Sequence, residues 1–150
     1  MTLIFTDQRL LNAQEMSRLA TGADSTYIFP NTAGGAVTPS SGLTVAVSAI
    51  LAGSVTIGGA LVGTAYAGGT VTHDAADVTN PRRDIIYFDT SGAVGIQKGT
   101  AAAKPVLSDL SATEIAVAEV YVAANDTTIG TSEITDRRQQ GSGVTLHYSQ

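Results

Sequence analysis

80-NPRRDIIYFDTSGAVGIQKGT-100 is the stretch on which the fold turns. Ile85, Ile86, Tyr87 and Phe88 make a β-type run, and Pro81 stands just before it, where proline is tolerated at the opening of a strand. Thr90-Ser91-Gly92 reads as a turn. Asp84–Asp89 and Ala93–Lys98 therefore predict a hairpin. The charged triplet Arg82-Arg83-Asp84 is conspicuous because Ser25 to Thr72 contains no Asp, Glu, Lys or Arg.

Downstream, 114-EIAVAEVYVA-123 alternates. Ile115, Val117, Glu119 and Tyr121 fall on one side of a strand, and Ala116, Ala118, Val120 and Val122 on the other. The second side is wholly apolar and is expected to face the core. Asn125-Asp126 predicts a turn before a strand at 128–134. Upstream, Leu43, Val45 and Val47 alternate with Thr44 and Ala46. Further short strands are expected at 54–57 and 61–66, with turns at Gly58-Gly59 and Gly68-Gly69. About seven or eight short strands, with turn signals roughly every eight to twelve residues, predict an all-β fold. A small β-sandwich or β-barrel, jelly-roll-like, is expected over 43–138.

Residues 1–42 read as an N-terminal arm and linker. Leu10, Leu11, Met16 and Leu19 place a short helix at 8–20, capped by Asp7 and ended by Thr21-Gly22. Breakers crowd 22–42. The tail 139–150 carries one more β-type run, Val144 to Tyr148, after a Gly-Ser hinge, and such a run suits addition to a neighbouring sheet.

Composition narrows the function. The chain has 150 residues, a net charge of −5, no cysteine, no tryptophan and only three phenylalanines. Nucleic-acid binding needs clustered Lys and Arg, and only eight are present. Without cysteine there is no disulfide, thiolate nucleophile or Cys-ligated zinc. The start of the chain lacks the basic and apolar regions of a secretory signal. The uncharged tract 43–72 has the length of a membrane span, but repeated glycines and Thr/Ser make it strands and turns instead.

Few residues suggest chemistry. His73, Asp74 and Asp77 form a His/carboxylate cluster but lack the ligand ladder of a complete metal loop, so a polar turn is expected. His73 and His147 are the two histidines available as bases, and no nucleophile motif accompanies either. Asp84 with Asp89, and Glu114 with Glu119, are five apart and so point to opposite faces of a strand; surface charges are expected. No phosphate-binding loop occurs. No enzyme activity and no cofactor are expected. The remaining candidates are Arg82, Arg83 and Asp84 with Asp136, Arg137 and Arg138. Each set places an Asp beside two arginines at a strand end. Arginine forks bind carboxylates and carbonyls, so these residues are expected to clasp strand ends or to reach an acidic neighbouring subunit.

The order of residues 80–102 followed by 114–138 resembles a module of structural proteins in tailed-bacteriophage virions, including tail-fibre, baseplate and head or neck appendage proteins. Asn80, Pro81, Arg82, Asp84, Gly99, Thr100, Ala101, Ala118, Val120, Val122, Ile134, Asp136 and Arg138 carry the match, and 43–67 looks like the same module. Ala123-Ala124-Asn125 stands where Pro-Ala-Gly is common, so the turn there departs from the pattern. The resemblance implies a β-rich, non-enzymatic assembly protein of the virion, a trimer or hexamer bound to other virion proteins. A tail, baseplate or fibre-adaptor component is the first expectation. A capsid decoration protein is the second, and a host-glycan-binding β-sandwich a weaker third, because stacking on sugars favours exposed aromatics. Neither nucleic acid nor membrane is expected as a partner. The chain continues only twelve residues past Arg138, which suits a short building block better than a fibre shaft.

Overall fold

The computed structural model describes residues 27–138. The expected helix at 8–20 and the run 144–148 lie outside the described residues. Among the described residues nine strands run in chain order: β1 Val37–Pro39, β2 Thr44–Val47, β3 Thr56–Ile57, β4 Ala60–Leu61, β5 Gly69–Thr72, β6 Arg82–Asp89, β7 Val94–Gln97, β8 Glu114–Val122 and β9 Ile134–Asp136. Single 3-10 turns occupy Asn31–Ala33 and Thr131–Glu133. The fold is all-β. Among the described residues no helix is long and apolar enough to cross a membrane.

The strands form a three-stranded sheet in the order β1-β2-β5, a four-stranded sheet in the order β7-β6-β8-β9, and a β3-β4 ribbon. Every pairing is antiparallel. Gly58 and Gly59, both at positive φ, turn the ribbon, as a two-residue hairpin requires. The larger sheets share one core. Val45 and Val47 come from the first, Ile86, Phe88, Val117, Val120 and Val122 from the second, and Ile50 from the isolated bridges that follow β2. β1 lies against β9 and β5 against β7, so the sheets meet along both sides.

The hairpin forms at the expected place, at β6 and β7. Asp89 shapes its turn by accepting the N–H groups of Ser91 at 2.9 Å and Ala93 at 3.0 Å. β6 begins two residues earlier than expected, at Arg82. Its inward positions are Arg82, Asp84, Ile86 and Phe88, all buried. The strand therefore carries its charged end into the core.

Several expectations differ from the structure. The strand expected at 61–66 is reduced to β4 and an isolated bridge at Tyr66. Residues 27–42 were expected to be a link but belong to the folded body. Phe29 and Ala33 are fully buried, Phe29 packs edge-on against Phe88 with centroids 6.0 Å apart, and β1 pairs with β2. Breaker residues set sharp turns here without removing the segment from the core. The strand expected at 128–134 is a 3-10 turn followed by β9. On β8, Ile115 and Val117 are buried although the alternation put them outside. Ile86 faces Ala118 and Tyr87 faces Ala116, so Val117 is an extra residue in a bulge. One inserted residue reverses the side on which every earlier side chain lies.

β7 and β8 flank β6 and run parallel to each other, so residues 98–113 must cross from one to the other. The crossing begins near Pro81, whose carbonyl accepts Ala102 N–H, and ends where Glu114 pairs with Asp89. It passes over the outer face of β6, where Arg83 Nε donates to Pro105 O at 3.2 Å and Ile85 is only 5% exposed.

Candidate functional site

The inward end of β6 builds the first charged cluster. Arg82 and Asp84 are two apart and share the core face. Arg82 Nε donates to Asp84 Oδ1 at 2.9 Å. Its other nitrogens reach the chain before the strand, Nη1 to Ala75 O at 2.8 Å and Nη2 to Asp74 O at 2.6 Å. The guanidinium fork suits this task because it offers several donors in one plane. Asp84 also accepts Gly99 N–H at 2.9 Å and meets His73 Nδ1 at 2.8 Å through Oδ2. Arg82, Asp84 and His73 are all buried.

Burial alone pushes the Asp84 carboxyl up, but the bonds from His73, Arg82 and Gly99 outweigh it and hold Asp84 below the ordinary aspartate value. An ionised Asp84 only accepts, so the proton of the His73–Asp84 bond sits on Nδ1. His73 Nε2 is buried and has no hydrogen-bond partner among the described residues. The pair has the outline of a catalytic His–Asp dyad. Among the described residues, no hydroxyl lies within hydrogen-bond distance of its second nitrogen. What it does is tie the strap 73–81 to the central strand.

The outer face of the same sheet carries the second cluster. Glu119 on β8 sits between Arg83 on β6 and Arg137 just after β9. Oε1 accepts Arg83 Nη1, and Oε2 accepts Arg137 Nη2 and, at 3.1 Å, Arg137 Nε. Glu119 is 2% exposed, while its two partners are about half exposed. Burial raises its carboxyl, but the bonds from Arg137 and Arg83 overcome that and keep it low. The Arg83 guanidinium also lies 5.6 Å from the centre of the Tyr121 ring.

A third clasp joins the ends of the body. Arg138 binds both oxygens of Asp136, Nε to Oδ1 at 2.9 Å and Nη2 to Oδ2 at 2.6 Å, and gives Nη1 to Gly34 O at 2.9 Å. The bond from Arg138 lowers Asp136, and the same bond raises Arg138.

The six residues singled out from the sequence thus separate. Arg82 and Asp84 close the core, Arg83 and Arg137 share Glu119, and Asp136 pairs with Arg138. Glu119 and His73 were not singled out as clasp members; Glu119 had been placed among surface charges and His73 in a polar turn. The structure buries both because each meets oppositely charged or hydrogen-bonding partners on neighbouring strands. The HDAAD residues diverge. His73 turns inward, Asp74 pairs with Lys98 at 2.9 Å, and Asp77 accepts the N–H groups of Thr79 and Asn80. Among the described residues no group of His, Asp or Glu is placed to hold a metal ion. His147 lies outside the described residues.

Comparisons of the chain with protein-family models, with curated proteins and with solved structures find no match.

Proposed function

We propose that the chain is a non-enzymatic structural protein of a tailed-bacteriophage virion, which oligomerises and attaches to other virion proteins. A tail, baseplate or fibre-adaptor position is favoured. The observation that carries this reading is where the residues of the resemblance sit. Pro81, Arg82, Asp84 and Gly99 meet in one inward knot, where Ala102 N–H reaches Pro81 O and Gly99 N–H reaches Asp84. Asp136 and Arg138 form the clasp at the other end of the sheet. The matching residues are thus scaffolding that sets strands in place, which suits a protein whose function is its outer surface.

Binding of the purified full chain to separated phage tails and to emptied heads tests this. Saturable binding to tails supports the reading. Binding to heads alone replaces it with capsid decoration. Binding to neither, together with retention on a host-glycan array, would sink it.

A further inference from the structure

We propose that Arg83 and Arg137, held on either side of Glu119, are the docking point for an acidic side chain of another virion protein. The inference deepens the proposed function by giving the partner's surface a chemistry, and it rests on that reading.

The register puts the pieces on one face. Arg83 stands opposite Tyr121, and Glu119 stands opposite Thr135, two residues before Arg137. This is the outer side of the sheet, because the alternate positions Asp84, Val120 and Val122 are buried in the core. Glu119 takes both guanidiniums with its two oxygens, and Pro105 O also fixes Arg83 Nε. Arg83 Nη2 and Arg137 Nη1 are left without a bond among the described residues. The Arg83 and Arg137 side chains are 40% and 47% exposed, whereas Glu119 is 2% exposed. The carboxylate lies beneath, and the exposed part of the cluster is cationic.

Charge names the occupant. The chain has a net charge of −5, yet two guanidiniums against one carboxylate leave this cluster positive. Lys98 has Asp74 and Arg138 has Asp136, one carboxylate to each cation. Arg83 and Arg137 must share theirs. Lys104, exposed on the crossing segment beside Pro105, adds to the positive side, and Asp109 follows four residues after Pro105. Of the carboxylates along β9, Asp136 is taken by Arg138, and Glu133 accepts Gly130 N–H. An oxyanion on the pair therefore meets an excess of positive charge and two unused donors, and guanidinium forks suit carboxylates.

A protein side chain fits this place better than a free ion. Small ligands are held in concave sites, and these groups stand on the face of a sheet. The Tyr121 ring, 5.6 Å from the Arg83 guanidinium, adds contact surface. Arginine and tyrosine are enriched where proteins meet. Exposed ion pairs are ordinarily weak, because two long side chains must be fixed in one geometry. Here Glu119 has fixed the arginines beforehand, so the incoming side chain alone loses freedom.

The test is NMR of the arginine Nε–Hε groups in the full chain, titrated with a short polyglutamate peptide and, separately, with sodium phosphate. The Arg83 and Arg137 signals should move saturably with the peptide while the Arg138 signal stays, and the shifts should fade as salt is raised. Arg137→Gln, which leaves Glu119 with Arg83, should weaken peptide binding about fivefold, the upper end for an exposed pair. Lys98→Gln should leave it unchanged. No shift, an equal response of Arg138, or phosphate acting as strongly as the peptide (an adventitious ion only) would each overturn the site. Shifts that grow with protein concentration alone would also overturn it, since a second copy would then be the occupant. The wild-type titration decides by itself if the variant fails to fold. Peptide binding at the pair by a chain that binds no phage tails removes only the virion reading. Tails bound equally by wild type and Arg137→Gln remove only this site.

Discussion

Gly99 gives its backbone N–H to Asp84 Oδ1 at 2.9 Å, and it does so while lying flat on the backbone of Arg83, where a β-carbon would overlap the carbonyl. The bond and the close approach depend on each other. A side chain at 99 would lift the crossing segment away from β6 and take the N–H with it.

Gly99→Ala is therefore expected to cost about 1–3 kcal/mol, the range for forcing extra atoms into a packed site. Gly63→Ala is the control, because a β-carbon there meets nothing. Urea denaturation midpoints compare the two. Equal midpoints would refute the close packing at 99.

Asp84→Asn removes the charge that balances a buried Arg82. Breaking one side of a buried ion pair typically costs about 3–5 kcal/mol. The variant should unfold at a much lower temperature than Asp136→Asn, whose aspartate is 56% exposed. Calorimetry of both variants checks the order. The reverse order would mean that the inward knot is not the stronger clasp.

Acid should unfold the protein through the same carboxylates. Asp84, Glu119 and Asp136 all have lowered pKa values in the folded chain. The unfolded chain therefore takes up protons first as the pH falls. Stability is fully present above the ordinary values, 4.5 for Glu and 3.8 for Asp, and is lost as the pH falls below them toward the folded values. Melting temperature from pH 7 downward should drop in that window, and the drop should be shallower in Glu119→Gln. A flat profile would count against ionised clasps.

Arg83 and Arg137 share one carboxylate, so their losses should not add. Either arginine alone leaves Glu119 with one partner. Arg83→Ala with Arg137→Ala leaves it buried with none. The double variant should lose more than the sum of the singles, with a coupling of about 0.5–3 kcal/mol. Additive losses in denaturant titrations would show that the two arginines act separately.

The hairpin and the β8 strand were legible because their signals are local: a proline, an alternating run, a turn. Asp84 was expected among surface charges with Asp89, yet it is fully buried, and its shared phase with Ile86 and Phe88 was the signal that could have shown this. Its partners had no such signal. His73 is eleven residues away and Gly99 fifteen, on separate segments, and only the pairing of strands brings them together. The bulge at Val117 has no local signature at all. Alternation read through it assigns Ile115 and Val117 to the wrong face. Residues 27–42 misled for a related reason. Glycines and prolines announce turns, but whether Phe29 is buried depends on Phe88, far along the chain.

The sheet order also has a consequence at the ribosome. β1, β2 and β5 precede β6 and β8 in the chain, and nothing in them is charged. The inner side of that sheet, Val45 and Val47, belongs to one core with residues of β6 and β8. Until residue 122 has been synthesised, the core of a nascent chain lacks the contribution of β6 and β8, and incomplete cores of this kind are the state in which strands of neighbouring polypeptides join. The first half is held as pieces of two to four residues separated by glycines. Short, interrupted strands make poor templates for such joining. The choppiness of the early strands thus protects the chain during synthesis, before the long central pair arrives to close the fold.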